Sequence, residues 1–340
     1  MTSLFKNEKT VLKIKQVFTS TDSADISGAN NYVGQALSFR TRMIIAFTAV
    51  YLIWGSTYLA IRFTIETLPS YLSAGVRFLL AGLILYAFAR FKKREPAPKK
   101  EHWRSAYIAG GFLLLGCNGS VVWAERYVPS GLAALIVAII PLWMVLLEWW
   151  WYKTERPSKG VFIGIGTGFL GMWLLMSPGL LRVGAHSIHL VGTIVLLLAS
   201  LSWAIGSVYS RNASFPRSPL LSTAMQMIGG GVLLVITGVL VGEYSHFNIM
   251  SISVKSVGAL IYLIIFGSLI GFTAYLWLLN NVGVTRTSTY AFVNPVVAIF
   301  LGWALAGEKL DIQTVIAAFF VLVAVIVITI YHKEPKIINR

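Results

Sequence analysis

In the stretch SYLSAGVRFLLAGLILYAFAR (Ser70 to Arg90), Arg77 is a lone charge inside an apolar run. A guanidinium is a permanently charged, planar fork of donors, suited to holding a carboxylate or phosphate at two points. An arginine at the centre of a membrane-crossing helix costs roughly 2.5–3.5 kcal/mol on insertion scales. Arg77 lies six residues beyond Tyr71, about 9 Å along a helix, so its stem can also reach outward. This placement predicts that Arg77 faces the interior of a bundle and pairs with Glu125 or with an anionic group of a substrate. A pair that only locks two helices is the plainer alternative.

Other residues with chemical potential are few. Glu125 and Glu148 are the only carboxylates within expected helical spans, and neither is central. A buried proton relay needs a mid-membrane Asp, Glu or His, and His102, His186, His189, His246 and His332 all fall in loops or at span ends. Proton coupling would rest on Glu125 or Glu148, and Glu148, followed by Trp149, Trp150 and Trp151, reads as an interfacial anchor. Aromatic side chains are better cavity candidates. Trp54, Tyr58, Trp143, Trp203, Tyr209, Tyr275 and Tyr290 combine apolar faces with a polar handle. Together with Ser56, Thr57, Asn118 and Asn294 they suggest a cavity neither dry nor strongly charged, although ordinary packing explains any one of them. The sequence has no G-x-x-x-x-G-K-[ST], no H-E-x-x-H, no G-x-S-x-G and no Cys/His cluster. No enzyme activity, metal or cofactor is expected, and the lone Cys117 cannot form an intrachain disulfide.

The elements that carry these residues follow from composition. Of 340 residues, 56% are hydrophobic and 12% charged, about half the usual charged fraction. The apolar residues come in runs of about 20, the length that crosses a bilayer as a helix. Ten spans are expected, near 43–61, 70–90, 104–125, 130–152, 160–177, 188–210, 219–241, 257–279, 286–306 and 312–331. Residues 1–42 read as a disordered cytoplasmic arm and 332–340 as a cytoplasmic tail. The net charge of +15 belongs to loops on one membrane side rather than to nucleic-acid binding. With the N-terminus inside, inner segments hold 22 of the 28 Lys and Arg residues and outer loops five, Arg77 being the last. The positive-inside rule then puts both termini in the cytoplasm, in a multi-pass inner (plasma) membrane protein with lipids and a small-molecule substrate as partners. Gly160, Gly164 and Gly168 form small-xxx-small steps, which permit close packing within the fold or across a homodimer.

The halves 43–177 and 188–331 resemble each other. A shift of 154 places Trp123 on Trp277, Pro141 on Pro295 and Trp149 on Trp303; a shift of 151 places Gly55, Ser56 and Tyr58 on Gly206, Ser207 and Tyr209. A shift of 149 places Ser73 on Ser222, Gly82 on Gly231 and Arg77 on Gln226. Five helices per half is an odd number, so the second half enters from the opposite side: an inverted repeat, with a site expected between the halves. Pro141 and Pro295, each inside a span, are candidate hinges or passive bends.

Several segments together carry a family likeness: LIWGSTYLAIR, AGVRFLLAG, AERYVPSGLAALIVAIIPLW, LSWAIGSVYSR and TSTYAFVNPVVAIFLGWALAGEKL. Over about residues 44–331 the sequence resembles the drug/metabolite transporter superfamily, EamA type. The resemblance implies an all-α membrane protein of ten helices in two inverted five-helix repeats around a central cavity. It also implies export of small metabolites, amino acids or drugs by alternating access. A membrane sensor or assembly protein, or a lipid-moving protein, on the same fold remains the other reading.

Overall fold

The computed structural model describes residues 38–152, 158–176, 189–246, 248–287, 289–308 and 312–331. Among these, all regular structure is helical. The expected tail and all of the expected arm up to residue 37 lie outside the described residues. The chain divides into two units, Met1–Arg42 and Met43–Arg340, and the contacts below lie within the second.

The main helices are α1 (Phe39–Thr64), α2 (Ser70–Lys92), α3 (Lys100–Ala124), α4 (Ser130–Trp151), α5 (Lys159–Met176), α6 (Leu190–Asn212), α7 (Pro219–Leu240), α8 (Val254–Asn281), α9 (Tyr290–Ala306) and α10 (Ile312–Tyr331). Among the described residues seven of them, α1–α4 and α6–α8, are long and apolar enough to cross a membrane. At about 1.5 Å per residue, 20 residues cover the ~30 Å hydrocarbon layer. Shorter apolar stretches lie in α5 (Lys159–Gly171), α9 (Val293–Ala306) and α10 (Val315–Ala324). Outward faces are greasy: Leu83 of α2, Ile163 of α5, Phe300 of α9 and Phe319 of α10 are all more than half exposed, as lipid-facing residues should be. The chain is a multi-pass membrane protein.

Glycines set how the helices meet. Along α2 and α7, Gly75 lies on Gly231 and Val235, and Gly82 on Met227 and Ile228, so the two run antiparallel. A Cβ on Gly110 of α3 would stand 2.5 Å from the carbonyl of Gln226 and 2.6 Å from the nitrogen of Gly230 in α7. Without side chains between them, the backbones touch. In the same way Gly131 brings α4 onto Ile299 of α9. On α5, Gly160 meets Tyr331, Gly168 meets Ala324 and Gly171 meets Phe320 of α10. This pair is also antiparallel, and the small-residue steps of α5 serve packing inside the chain.

Among the described residues three helices carry π-helical stretches: Phe88–Lys92 ends α2, and the two longer ones are Gly111–Gly119 in α3 and Leu263–Phe272 in α8. The two longer stretches begin 152 residues apart, within the displacement of the sequence repeat. Such widened turns gather at functional sites. The candidate hinges differ from each other. Before Pro141 the helix is broken: Ser130–Val137 ends, and Ile140–Tyr152 begins after a tightened turn in which Leu142 N–H donates to the Ile139 carbonyl. Proline lacks the N–H that would continue the ladder. Pro295, by contrast, sits inside a continuous α9.

Candidate functional site

The bundle leaves a cavity to which the π-helical stretches of α3 and α8 both contribute. It holds ≈ 570 Å3 of space free of protein atoms, the open solvent at its mouth included. Trp54, Thr57, Tyr58 and Ile61 of α1 line it, with Arg77 and Phe78 of α2. Cys117, Asn118 and Val121 come from the π stretch of α3 and just beyond, and Val137 and Ile140 from either side of the α4 break. From the other half of the chain come Trp203 (α6), Gly267 and Phe272 (α8), and Tyr290 and Asn294 (α9).

Arg77 is the cavity's only formal charge. It is 3% exposed. Its Nε donates to Ser268 Oγ at 2.8 Å, and its guanidinium carbon lies 4.6 Å from the centre of the Phe78 ring. Gly267 makes room for the fork: a Cβ there would stand 2.8 Å from Nη2. Among the described residues no carboxylate is paired with Arg77. The ion pairs of the described residues include Lys99 and His102 with Glu101, Arg211 with Glu148, and Lys255 with Glu66, none of them at Arg77. Nη1 has no partner. A buried charge left unpaired is costly by several kcal/mol in ordinary protein interiors. The expected pairing with Glu125 is thus replaced by a single neutral hydroxyl, which orients the fork and leaves its charge unanswered.

Around the fork stands an aromatic wall. Trp54 packs edge-on against Trp203 (5.4 Å between ring centres) and Tyr290 (5.4 Å), and tilts over Tyr275 (5.0 Å). The wall is pinned by its polar edges. Trp54 Nε1 donates to the Gly267 carbonyl (3.1 Å), Trp203 Nε1 to Tyr275 Oη (3.2 Å), and Tyr275 Oη shares a bond with Ser207 Oγ (2.7 Å). Asn294, with its amide nitrogen turned to two acceptors, donates to the carbonyls of Tyr51 (3.0 Å) and Tyr290 (3.3 Å). Two oxygens at the cavity stay unpartnered, Asn118 Oδ1 and Tyr290 Oη.

Of the candidates, Trp54, Thr57, Tyr58, Arg77, Asn118, Trp203, Tyr290 and Asn294 line this one cavity. Five candidates do not line the cavity. Ser56 turns to Tyr262 Oη (2.6 Å) and ties α1 to α8. Trp143 donates to Ser200 Oγ (2.9 Å), joining α4 to α6. Tyr275 backs the wall from behind. Tyr209 is half-buried on α6 away from the cavity. Glu125, one residue past the end of α3, is fully buried with both carboxylate oxygens unpartnered. Arg62 reaches only its backbone carbonyl, at 2.9 Å. Burial first, then the Glu308 carboxylate, push the Glu125 carboxyl well above the usual carboxylate range, against the pull of Arg62. Glu148 is held by Arg211 at 2.5 Å, a fixed ion pair at the far end of α4. Sequence reasoning missed Gly267, Ser268 and Phe272, which carry no charge or motif to mark them.

It also missed how one end of the bundle is closed. α2 and α4 both start on a Pro-Ser step, with no side-chain cap from Pro69 or Pro129. Their free N–H groups find carboxylates from the second half. Glu243 accepts from Tyr71 N–H (3.0 Å) and Leu72 N–H (2.9 Å). Glu308 accepts from Ser130 N–H (2.7 Å), Ser130 Oγ (2.7 Å) and Gly131 N–H (3.1 Å). Each acid follows a glycine in the left-handed region, Gly242 at φ 75° and Gly307 at φ 66°. Glycine alone turns there without strain, which aims the next residue back across the bundle end. The negative charges also suit the positive ends of the two helix dipoles. At the same end Lys255 pairs with Glu66 (2.7 Å), and Ser256 Oγ donates to the Phe63 carbonyl (2.7 Å).

The chain is thus a polytopic helical membrane protein with a part-polar central cavity. The profile of the EamA-like transporter family matches residues 41–177 and again 190–330. The chain belongs to this family. It is 37% identical over 287 residues to a protein of Escherichia coli (strain K12) described as "Uncharacterized inner membrane transporter YedA", across 84% of this chain and 90% of that one. It is 21% identical to the "Uncharacterized transporter YoaV" of Bacillus subtilis (strain 168), across 87% of this chain and 99% of the relative. A solved crystal structure shares the fold at a TM-score of 0.59 and 19% identity, over 85% of this chain and 97% of that one.

Proposed function

We propose that this protein is a secondary transporter that moves small organic solutes out of the cell by alternating access, with the central cavity as the transit site. The observation that carries this reading is the origin of the cavity walls. They come from α1–α4 on one side and from α6, α8 and α9 on the other, so a relative rotation of the halves would open or close them. The pairing of helices supports two inverted five-helix repeats in a ten-span protein. α2 with α7 and α5 with α10 each run antiparallel, as helix n and helix n+5 must when the repeat is inverted. The matching π stretches of α3 and α8 fit the same duplication.

In this reading both termini lie in the cytoplasm, following the lysine and arginine asymmetry. The Glu243 and Glu308 closures then form the outer gate, shut in this conformation. Solute contacts fall to Trp54, Thr57, Tyr58, Arg77, Asn118, Trp203, Tyr290 and Asn294. The broken turn at Pro141 and the proline-weakened α9 at Pro295 supply bending points. The test is counterflow: purified protein in liposomes preloaded with unlabelled solute should accumulate labelled solute transiently. No counterflow across a panel of amino acids, organic acids, amines and neutral drugs overturns the transporter reading.

A further inference from the structure

We infer that Arg77 is a carboxylate receptor, and that the ligand of the cavity is a small organic acid with one carboxylate on an apolar or aromatic body. The inference rests on the cavity being the transit site and adds to it the chemical class of what enters. Three observations carry it. First, Arg77 is nearly fully buried, lines the cavity and keeps Nη1 without a partner. Second, no acidic side chain lines the cavity, so its single positive charge is matched only when a ligand brings the negative one. Third, Ser268 fixes the fork from Nε, and Gly267 lets Nη2 approach where a Cβ would stand only 2.8 Å away, so the fork has one set position in the cavity wall. A guanidinium held by Nε presents its two terminal nitrogens to an incoming anion, the two-point geometry a carboxylate fits.

The rest of the cavity limits what else the ligand carries. Rings of Trp54, Tyr58, Trp203, Phe272 and Tyr290 face it, a surface for an apolar or aromatic body. A second carboxylate would find no second cation. A purely cationic amine would meet Arg77 with like charge and no acid to offset it. An α-ammonium beside the carboxylate is tolerated, because Asn118 Oδ1 and Tyr290 Oη are unpartnered acceptors and aromatic faces attract cations. Amino acids with apolar side chains therefore belong to the class.

Trp54 and Trp203 report on the site through their fluorescence. Four probes of one shape separate the possibilities: 3-phenylpropionate, phenylalanine, 3-phenylpropionamide and phenethylamine, titrated into purified protein. The two carboxylates should quench saturably, and the amide and the amine should bind at least tenfold more weakly. Arg77→Gln should abolish the preference for acid over amide, and Arg77→Lys, which keeps the charge but not the fork, should retain part of it. Equal binding of amide and acid by the unaltered protein overturns the inference, and this measurement needs no variant to fold. Counterflow then separates the two readings. Transport of neutral solutes with no selectivity for acids leaves the transporter and removes the carboxylate receptor. Acid binding without any counterflow keeps the receptor and removes the transporter.

Discussion

Glu308 and Ser130 are joined twice: Oε1 of the carboxylate accepts both the backbone N–H and the hydroxyl of the serine, at 2.7 Å each. One side chain thus does what an N-cap residue does for its own helix, but from 178 residues away. A hydrogen bond to a charged partner is worth about 1.5–3 kcal/mol. Glu308→Ala should lower the melting temperature in detergent clearly more than Ser130→Ala, which loses only the hydroxyl bond. Equal, negligible losses in both would show that α4 does not need the acid.

If the glycine-glutamate closures hold an outer gate, the unaltered Cys117 is a built-in reporter, since it lies in the cavity wall and is buried. Glu243→Gln and Glu308→Gln should raise its labelling by a membrane-impermeant maleimide added from outside. The first half has a matching acid. Glu95 stands 148 residues before Glu243, follows Arg94 at a positive φ of 54°, and its N–H donates to the Ala89 carbonyl. An inverted repeat predicts that Glu95 closes the opposite end in the alternate state. Glu95→Gln should then lower outside labelling of Cys117. Shifts of the same sign for Glu95 and Glu308 variants would contradict the gate.

Glu125 links stability to pH. Its folded pKa is raised, so between the unfolded value of about 4.3 and the higher folded one the native state binds more protons than the unfolded state. Its favourable contribution is complete below about pH 4.3 and is lost as pH rises through the folded value. Glu125→Gln, neutral throughout, should therefore match the unaltered protein in acid and melt increasingly higher than it toward pH 8. Parallel melting curves would mean that Glu125 is already ionised and solvated in the native protein.

Backbone contact between α3 and α7 gives a packing prediction. Gly110→Ala must push a methyl into the Gln226 carbonyl and the Gly230 nitrogen, and overpacking of this kind costs about 1–3 kcal/mol or more. Gly166→Ala meets nothing within 4 Å and removes a helical glycine, a gain of roughly 0.5–1 kcal/mol. The two should move the melting temperature in opposite directions. A harmless Gly110→Ala would mean that α3 and α7 are not locked at this crossing.

Much of the helix order could be read from the chain, because runs of about 20 apolar residues have few other fates. Arg77 and the cluster of Trp and Tyr residues were legible for the same reason, as chemical types out of place in lipid. Direction was harder. A helix apolar on all sides gives no stripe to say which face looks inward, so residue type alone groups Ser56 and Trp143 with the cavity, whereas each is turned to a neighbouring helix. The π stretches left no mark in GFLLLGCNG or LIIFGSLIGF, since backbone widening is a tertiary outcome. Glu243 and Glu308 looked like loop acids, and only the folded chain shows the helix starts they hold.

The bond from Arg77 to Ser268 spans 191 residues of chain. At about 5–20 residues per second, synthesis delivers the serine roughly 10–40 s after the arginine. Throughout that interval the nascent α2 carries a guanidinium whose resting place has not yet been made. The half-built protein must keep this segment near the translocation machinery or the lipid headgroups, and chains that terminate before α8 should be recognised as faulty and degraded.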